Sequence, residues 1–201
     1  MTALGRLGPS RRGFLLGGGA LIVSFSLPPP LAMAEETAAR KLPGSLQRSP
    51  QLDSWIRIDG RGAITVFTGK CELGQGIKTA LLQVAAEELG VAPESIRLVT
   101  ADTALTPNEG YTAGSHSMQD SGTAIRYAAA QARSLLIGAA AARWGVSIDR
   151  LEAHDGAVVA DDGRRLSFGA LVKDKELQVA TDGQSALTDA VHYREIGRAH
   201  V

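Results

Sequence analysis

Two stretches of the chain carry apolar residues at intervals of three and four, the spacing that places them on one face of a helix. The first stretch covers residues 77–89 and is followed by Gly90, a residue type that commonly ends helices. The second covers residues 121–144 and is rich in alanine, which favours a helix. The pattern therefore predicts two long amphipathic helices.

Short β-rich runs lie around these helices. Residues 55–58 and 63–67 flank a turn that contains two glycines, which indicates a β-hairpin. Further short strands are predicted at 96–100, 151–159 and 165–168. The resulting order, β-β-α-β-α-β-β, predicts an α+β fold in which helices pack on a mixed sheet. This fold is expected to be part of a larger, multi-domain subunit.

The segments outside this pattern are predicted to be linkers or signals. Residues 35–52 are polar and contain prolines and a glycine, so they are predicted to be a linker. The fold itself is predicted to occupy residues 53–173. Beyond it the periodicity decays, and residues 174–201 are predicted to be a second linker.

Residues 1–34 have the composition of an export signal. Three arginines and no acidic residue precede an apolar run over 14–27, and Ala32–Ala34 resembles a small-residue cleavage site. Ser10–Leu15 resembles the twin-arginine signal, which carries folded, often cofactor-loaded proteins to the periplasm. An ordinary secretory signal and a retained anchor are the alternatives, although the apolar run is shorter than the roughly 20 residues of a membrane-spanning helix.

Composition excludes several classes of protein. The chain has 201 residues, with 21 basic and 21 acidic side chains, so it has no basic excess for nucleic-acid binding. Its single cysteine, Cys71, rules out an internal disulfide and a cysteine-ligated zinc site. We expect Cys71 to be a small buried apolar residue. The export signal holds three of the arginines, so the rest of the chain is net acidic.

The first of two glycine-rich loops precedes the helix at 77–89 and contains Gly74, Gln75 and Gly76. Glycines permit positive φ and close approach of a ligand to the backbone, and free N–H groups at a helix start favour an anion. Gln75 offers two donors and an acceptor to a polar heterocycle. The same pattern also fits a plain strand-to-helix turn.

The second loop, residues 111–122, precedes the alanine-rich helix and is dense in hydroxyl and amide side chains. It has no carboxylate before Asp120, which suits neutral polar or anionic groups better than a metal ion. The alternative is a helix-capping region whose polar residues face water. His116 is expected to face solvent or to lie behind the residues that touch a ligand.

Together, residues 72–89 and the second loop resemble the molybdopterin-binding subunit of the xanthine dehydrogenase and aldehyde oxidase family. With the twin-arginine leader, the resemblance is closer to large subunits of the isoquinoline 1-oxidoreductase and nicotinate dehydrogenase type. It covers residues 52–172. The resemblance implies a pterin contact at the first loop, and contacts to the molybdenum end and the pterin phosphate at the second. The cofactor-binding residues that it implies are Gly74, Gln75, Gly76, Gly114, Ser115 and Ser117.

The resemblance also implies an activity and a set of partners. The activity is oxidation of an aldehyde or an N-heteroaromatic carbon, with water as the oxygen source and a small molecule as substrate. The cofactor is molybdopterin, in its molybdenum-molybdopterin cytosine dinucleotide form, and it carries the metal without a protein ligand. The expected partners are a small subunit with [2Fe-2S] clusters and a cytochrome c that accepts electrons.

No catalytic residue is expected in this stretch of chain. The family's general-base glutamate lies downstream of Val201, and Glu87 and Glu88 are expected to be solvated on their helix. Residues 191–197 resemble the family's entry into the next domain. Residues 196–201 also match a common sequencing adapter read in one frame, so the last residues are expected to be foreign to the protein, with 196–198 left open.

Two other functions remain open on the sequence. One is a complete exported module that binds a polar or phosphorylated ligand through the same loops without redox chemistry. The other is a structural domain without a ligand. Continuation of the reading frame beyond Val201, with a glutamate in a glycine-rich loop, would distinguish the hydroxylase from the binding module. A structural domain without a ligand predicts instead that Gln75→Ala and Ser115→Ala leave the function of the full-length protein intact.

Overall fold

The structure is a computed structural model that describes residues 41–113, 115–172 and 179–197. The predicted export signal and residues 35–40 lie outside the described residues. In chain order the strands and helices are β1 (Ile56–Ile58), β2 (Ile64–Thr68), α1 (Ile77–Leu89), β3 (Ile96–Thr100), α2 (Thr123–Trp144), β4 (Leu151–His154), β5 (Ala157–Ala160), β6 (Arg165–Ser167) and α3 (Phe168–Val172). None of the helices in these described ranges is both long and apolar enough to cross a bilayer.

The first sheet has the order β1-β2-β3 and is mixed. Strands β1 and β2 form the predicted antiparallel hairpin, with Ile56 opposite Val66. Strand β3 runs parallel to β2 because α1 forms the crossover between them. The inward residues of this sheet are buried together with the apolar faces of α1 and α2, which form the core. The predicted arrangement of helices on a mixed sheet is confirmed.

A second sheet, β4-β5-β6, is antiparallel throughout. The sequence predicted two strands here, whereas the structure has three. The run 151–159 divides because the chain turns at Asp155 and Gly156, which have φ values of 47° and 69°. A turn of this kind joins two strands of a hairpin and cannot lie inside one strand.

The prediction of a linker over residues 35–52 is wrong for its described part. Leu46 and Leu52 are fully buried in the core. The backbone of Leu52 also donates a hydrogen bond of 2.9 Å to Val179, and Thr181 donates one of 2.7 Å to Pro50. The three leucines of this stretch, Leu42, Leu46 and Leu52, are four and six residues apart and do not sustain a helical or strand period, so their burial could not be predicted from the pattern.

Glu87 and Glu88 are buried, so the expectation that they are solvated is also wrong. The Glu87 carboxylate accepts hydrogen bonds from three successive backbone N–H groups, those of Arg194, Glu195 and Ile196, at 2.6–2.9 Å. The described part of the predicted C-terminal linker is therefore held against the C-terminal half of α1.

The residues that follow α1 and α2 give a matched pair for a stability test. Gly90 and Gly145 both end a helix with φ near 66°. A Cβ on Gly90 would overlap the carbonyl oxygen of Ala153, whereas a Cβ on Gly145 would meet no atom within 4 Å. We expect Gly145→Ala to cost about 1–2 kcal/mol of unfolding free energy from backbone strain alone. We expect Gly90→Ala to cost about 1–3 kcal/mol more through the steric clash.

Urea denaturation of the two variants measures this difference. Equal losses for Gly90→Ala and Gly145→Ala would contradict the close contact between the end of α1 and β4.

Candidate functional site

The first glycine-rich loop is exposed at the start of α1. Gly74 and Gly76 have φ values of 95° and 79°, as the sequence predicts for this turn. A Cβ on either glycine would meet no atom within 4 Å. The loop therefore presents bare backbone to solvent, and a bulky ligand can approach it closely.

Two of the N–H groups at the start of α1, those of Gly76 and Lys78, are not free, in contrast to the sequence-based expectation. The Glu72 carboxylate accepts hydrogen bonds from Gly74 at 2.8 Å, from Gly76 at 3.0 Å and from Lys78 at 3.0 Å. The bonds from Lys78 and Gly76 lower the pKa of the Glu72 carboxyl below its ordinary value of 4.5. An anion would have to displace this carboxylate in order to bind at the helix start.

Gln75 braces the same turn. Its Oε1 accepts a hydrogen bond of 2.6 Å from the backbone of Leu73, and its Nε2 donates one of 3.0 Å to the carbonyl of Cys71. The amide is exposed, so a ligand above the loop can reach it. Cys71 is half-buried and lies after the end of β2.

The second loop is open at one end and anchored at the other. Ser115 and His116 are exposed, whereas Ser117 is buried at the start of a π-helical turn, Ser117–Gly122, that leads into α2. Gly114 lies outside the described residues. The imidazole Nδ1 of His116 is 3.3 Å from the carboxylate of Asp120, and the side chain is 69% exposed, which agrees with the expected solvent-facing position.

The two loops lie side by side because buried side chains join their bases. The Lys70 ammonium is 1% exposed and donates hydrogen bonds to the carbonyls of Glu109 at 3.0 Å and Tyr111 at 2.8 Å. The backbone N–H of Cys71 donates a further bond of 2.8 Å to the hydroxyl of Thr112. The end of β2 is thus tied to the beginning of the second loop.

A second set of hydrogen bonds is centred on Glu109, which lies just before the second loop. Oε2 of Glu109 accepts hydrogen bonds from the hydroxyl of Thr68 at 2.7 Å, from the backbone of Gly69 at 2.8 Å and from the hydroxyl of Ser121 at 3.0 Å. We call the group Thr68, Lys70, Glu109 and Ser121 the loop staple.

The loop staple was not predicted from the sequence. One signal was available, because the apolar run of β2 ends in Thr68 and Lys70, two polar residues directly before a glycine-rich loop.

The described residues all lie within a match to a known protein family. Residues 32–199 match the molybdopterin cofactor-binding domain. The chain belongs to this family. The resemblance that was seen in the two loops is confirmed.

Two relatives are similar over most of this chain. One subunit of the nicotinate dehydrogenase of Pseudomonas putida is 35% identical over 95% of the chain. The beta subunit of the isoquinoline 1-oxidoreductase of Brevundimonas diminuta is 34% identical over 81%. The chain spans 16% of the length of the first relative and 22% of the second.

A solved structure has a similar fold. The CO dehydrogenase of Oligotropha carboxidovorans aligns with a TM-score of 0.51 and 26% identity. The alignment covers 58% of this chain and 15% of that one.

The residues of the two loops fit the cofactor that the family name implies. A pterin is a flat polar heterocycle, and the open backbone at Gly74 and Gly76 leaves room for such a ring. The exposed Gln75 and Ser115 each offer a hydrogen-bonding side chain to a ligand. The buried Ser117 offers its hydroxyl less readily, so its predicted contact stays a prediction.

Proposed function

We propose that this chain is the cofactor-binding part of the large subunit of a molybdopterin-dependent oxidoreductase. The observation that carries the proposal is the pair of glycine-rich and hydroxyl-rich loops, held side by side by the loop staple in a chain of this family. Bound molybdopterin would supply the molybdenum centre for oxidising an aldehyde or an N-heteroaromatic carbon, with water as the oxygen source.

Each loop has a separate task in this proposal. The first loop holds the pterin through the backbone of Gly74 and Gly76 and the amide of Gln75. The second loop contacts the molybdenum end and the phosphate through Gly114, Ser115 and Ser117. Because Glu72 already accepts hydrogen bonds from Gly76 and Lys78 at the start of α1, the proposal assigns the phosphate to the second loop rather than to this helix start.

The proposal extends to the rest of the enzyme. The general-base glutamate would be supplied by chain downstream of Val201. A small subunit with [2Fe-2S] clusters and a cytochrome c would carry electrons away, and the cofactor would be the cytosine dinucleotide form. Both relatives are named as subunits of their enzymes, which supports a multi-subunit assembly. The arginine-rich leader supports export of the folded protein to the periplasm by the twin-arginine route.

Cofactor content of the full-length subunit, purified with its partners, tests the proposal. We expect Gln75→Ala and Ser115→Ala each to lower the affinity for the cofactor about 2- to 10-fold, the effect of losing one hydrogen bond of about 0.5–1.5 kcal/mol. Molybdenum and pterin per chain, measured after extended dialysis, report this loss.

Ser147→Ala is the matched control, because Ser147 is an exposed serine beyond the opposite end of α2. Molybdenum and pterin contents that stay unchanged in both loop variants would contradict the site. Such a result would favour a non-catalytic module or a structural domain.

A further inference from the structure

The loop staple contains two buried ionisable side chains that form no ion pair with each other. Lys70 is 1% exposed and Glu109 is 3% exposed. No ion pair within 4.0 Å involves either group in the described part of the chain. Each instead bonds to the backbone of the opposite segment. Lys70 donates to the carbonyls of Glu109 and Tyr111, and Glu109 accepts from the N–H of Gly69 at the end of β2.

The two oxygens of the Glu109 carboxylate differ in their hydrogen bonding. Oε2 accepts three hydrogen bonds, whereas Oε1 is buried and has no partner among the described residues. Leaving a buried acceptor without a donor costs about 1–3 kcal/mol, and more for a charged group. The three hydrogen bonds of the staple all end on Oε2, so they do not account for the second, unpaired carboxylate oxygen.

The staple leaves little freedom between the two segments that it joins. A Cβ on Gly69 would overlap the carbonyl oxygen of Pro107 and lie 3.2 Å from the backbone nitrogen of Glu109. The polypeptide at the end of β2 is therefore in direct backbone contact with the segment before the second loop. The first loop begins within a few residues of Lys70, and the second begins within a few residues of Glu109.

We propose that Glu109 is a positioning residue that sets the distance between the two cofactor-binding loops. Its Oε2 accepts hydrogen bonds both from the end of β2 and from the turn that leads into α2. Lys70, next to the first loop, donates a hydrogen bond to the carbonyl of Tyr111 in the second loop. Binding of a rigid cofactor across both loops is strong only where their spacing is set beforehand. This inference rests on the proposed function.

The decisive comparison is between Glu109→Ala and Glu109→Gln in the full-length subunit purified with its partners. The glutamine amide oxygen can replace Oε2, and its amino group would replace an oxygen that already lacks a partner. We expect Glu109→Gln to keep molybdenum and pterin content within about twofold of the unchanged protein. We expect Glu109→Ala to lower both contents about tenfold or more, corresponding to loss of several hydrogen bonds.

Three controls keep the test decisive. Glu94→Ala removes an exposed glutamate and should leave cofactor content unchanged. The melting temperature of each variant identifies a loss of cofactor that follows only from unfolding. If Glu109→Ala does not fold, Thr68→Val and Ser121→Ala each remove one hydroxyl of the staple, and each should lower cofactor content about 2- to 10-fold.

Three results would overturn the inference. The first is a folded Glu109→Ala protein with full cofactor content. The second is full cofactor content in both hydroxyl variants. The third is equal loss of cofactor in Glu109→Gln and Glu109→Ala, which would make the charge rather than the spacing responsible. If Gln75→Ala loses cofactor while Glu109→Ala does not, only this inference fails. If neither loses cofactor, the proposed function fails as well.

Discussion

Replacing Glu88 with alanine is expected to lower the free energy of unfolding by about 3–5 kcal/mol, the range for removing one member of a buried ion pair. The Glu88 side chain is 1% exposed and forms ion pairs with Arg126 at 3.0 Å and Arg133 at 2.8 Å. Its Oε2 also accepts a hydrogen bond of 2.9 Å from the backbone of Thr188. Alanine would remove the carboxylate that accepts from both arginines and from a backbone N–H, although both arginines would keep hydrogen bonds to backbone carbonyls.

Urea denaturation followed by tryptophan fluorescence measures this loss. Glu94→Ala is the control, because an exposed glutamate should change stability by no more than about 0.5 kcal/mol. A double-mutant cycle with Arg133→Ala should show coupling, since the two side chains are in direct contact. A loss below about 1 kcal/mol for Glu88→Ala would show that this cluster contributes little to the fold.

The Glu88 variant should also loosen the last described segment. Glu88 holds Thr188, and Glu87 holds the backbone from Arg194 to Ile196. These two successive glutamates therefore bind residues 188–196 to one helix. We expect limited proteolysis to cut this segment faster in Glu88→Ala than in Glu94→Ala.

Replacing Leu46 with alanine is expected to cost about 2–5 kcal/mol, the usual range for a fully buried leucine. Leu46 is 0% exposed and belongs to the main hydrophobic core, although the sequence pattern assigned it to a linker. Removing its side chain would leave a cavity beside the start of α2, because the turn Gly44–Gln47 packs against the turn Ser117–Gly122.

Leu73→Ala is the matched control for this substitution. Leu73 is 71% exposed in the first loop, so the same change there removes little buried surface. The two free energies of unfolding should differ by at least about 2 kcal/mol. Equal values would mean that residues 41–52 do not belong to the folded unit.

The elements that the sequence predicted correctly are those whose signal is local. Helix α1 has the predicted bounds, Ile77–Leu89, because its apolar period and its terminal Gly90 are both contained in one short stretch. Strand β3 and the β1–β2 hairpin were predicted for the same reason. The start of α2 was harder, since the π-helical turn Ser117–Gly122 precedes it and carries polar residues that resemble a loop.

The loops that identify the family could also be found from sequence. Their glycines and hydroxyl residues stand close together in the chain, and the positive φ values of Gly74 and Gly76 follow from the turn in which they lie. The sequence could not show that the carboxylate of Glu72 accepts hydrogen bonds from the N–H groups of Gly74, Gly76 and Lys78, which were expected to be free. A capping side chain and a ligand compete for the same donors, and only coordinates decide between them.

Patterns within short stretches of the chain were enough to identify the helices, the hairpin, the family and the two loops. Which charged residues are buried became clear only from the folded arrangement. Lys70 meets Glu109 across 39 residues of chain, and Glu88 meets Thr188 across 100. A charged side chain can be buried only where the fold brings a hydrogen-bonding partner to it. When that partner is so far away in sequence, no local pattern around the residue indicates the burial.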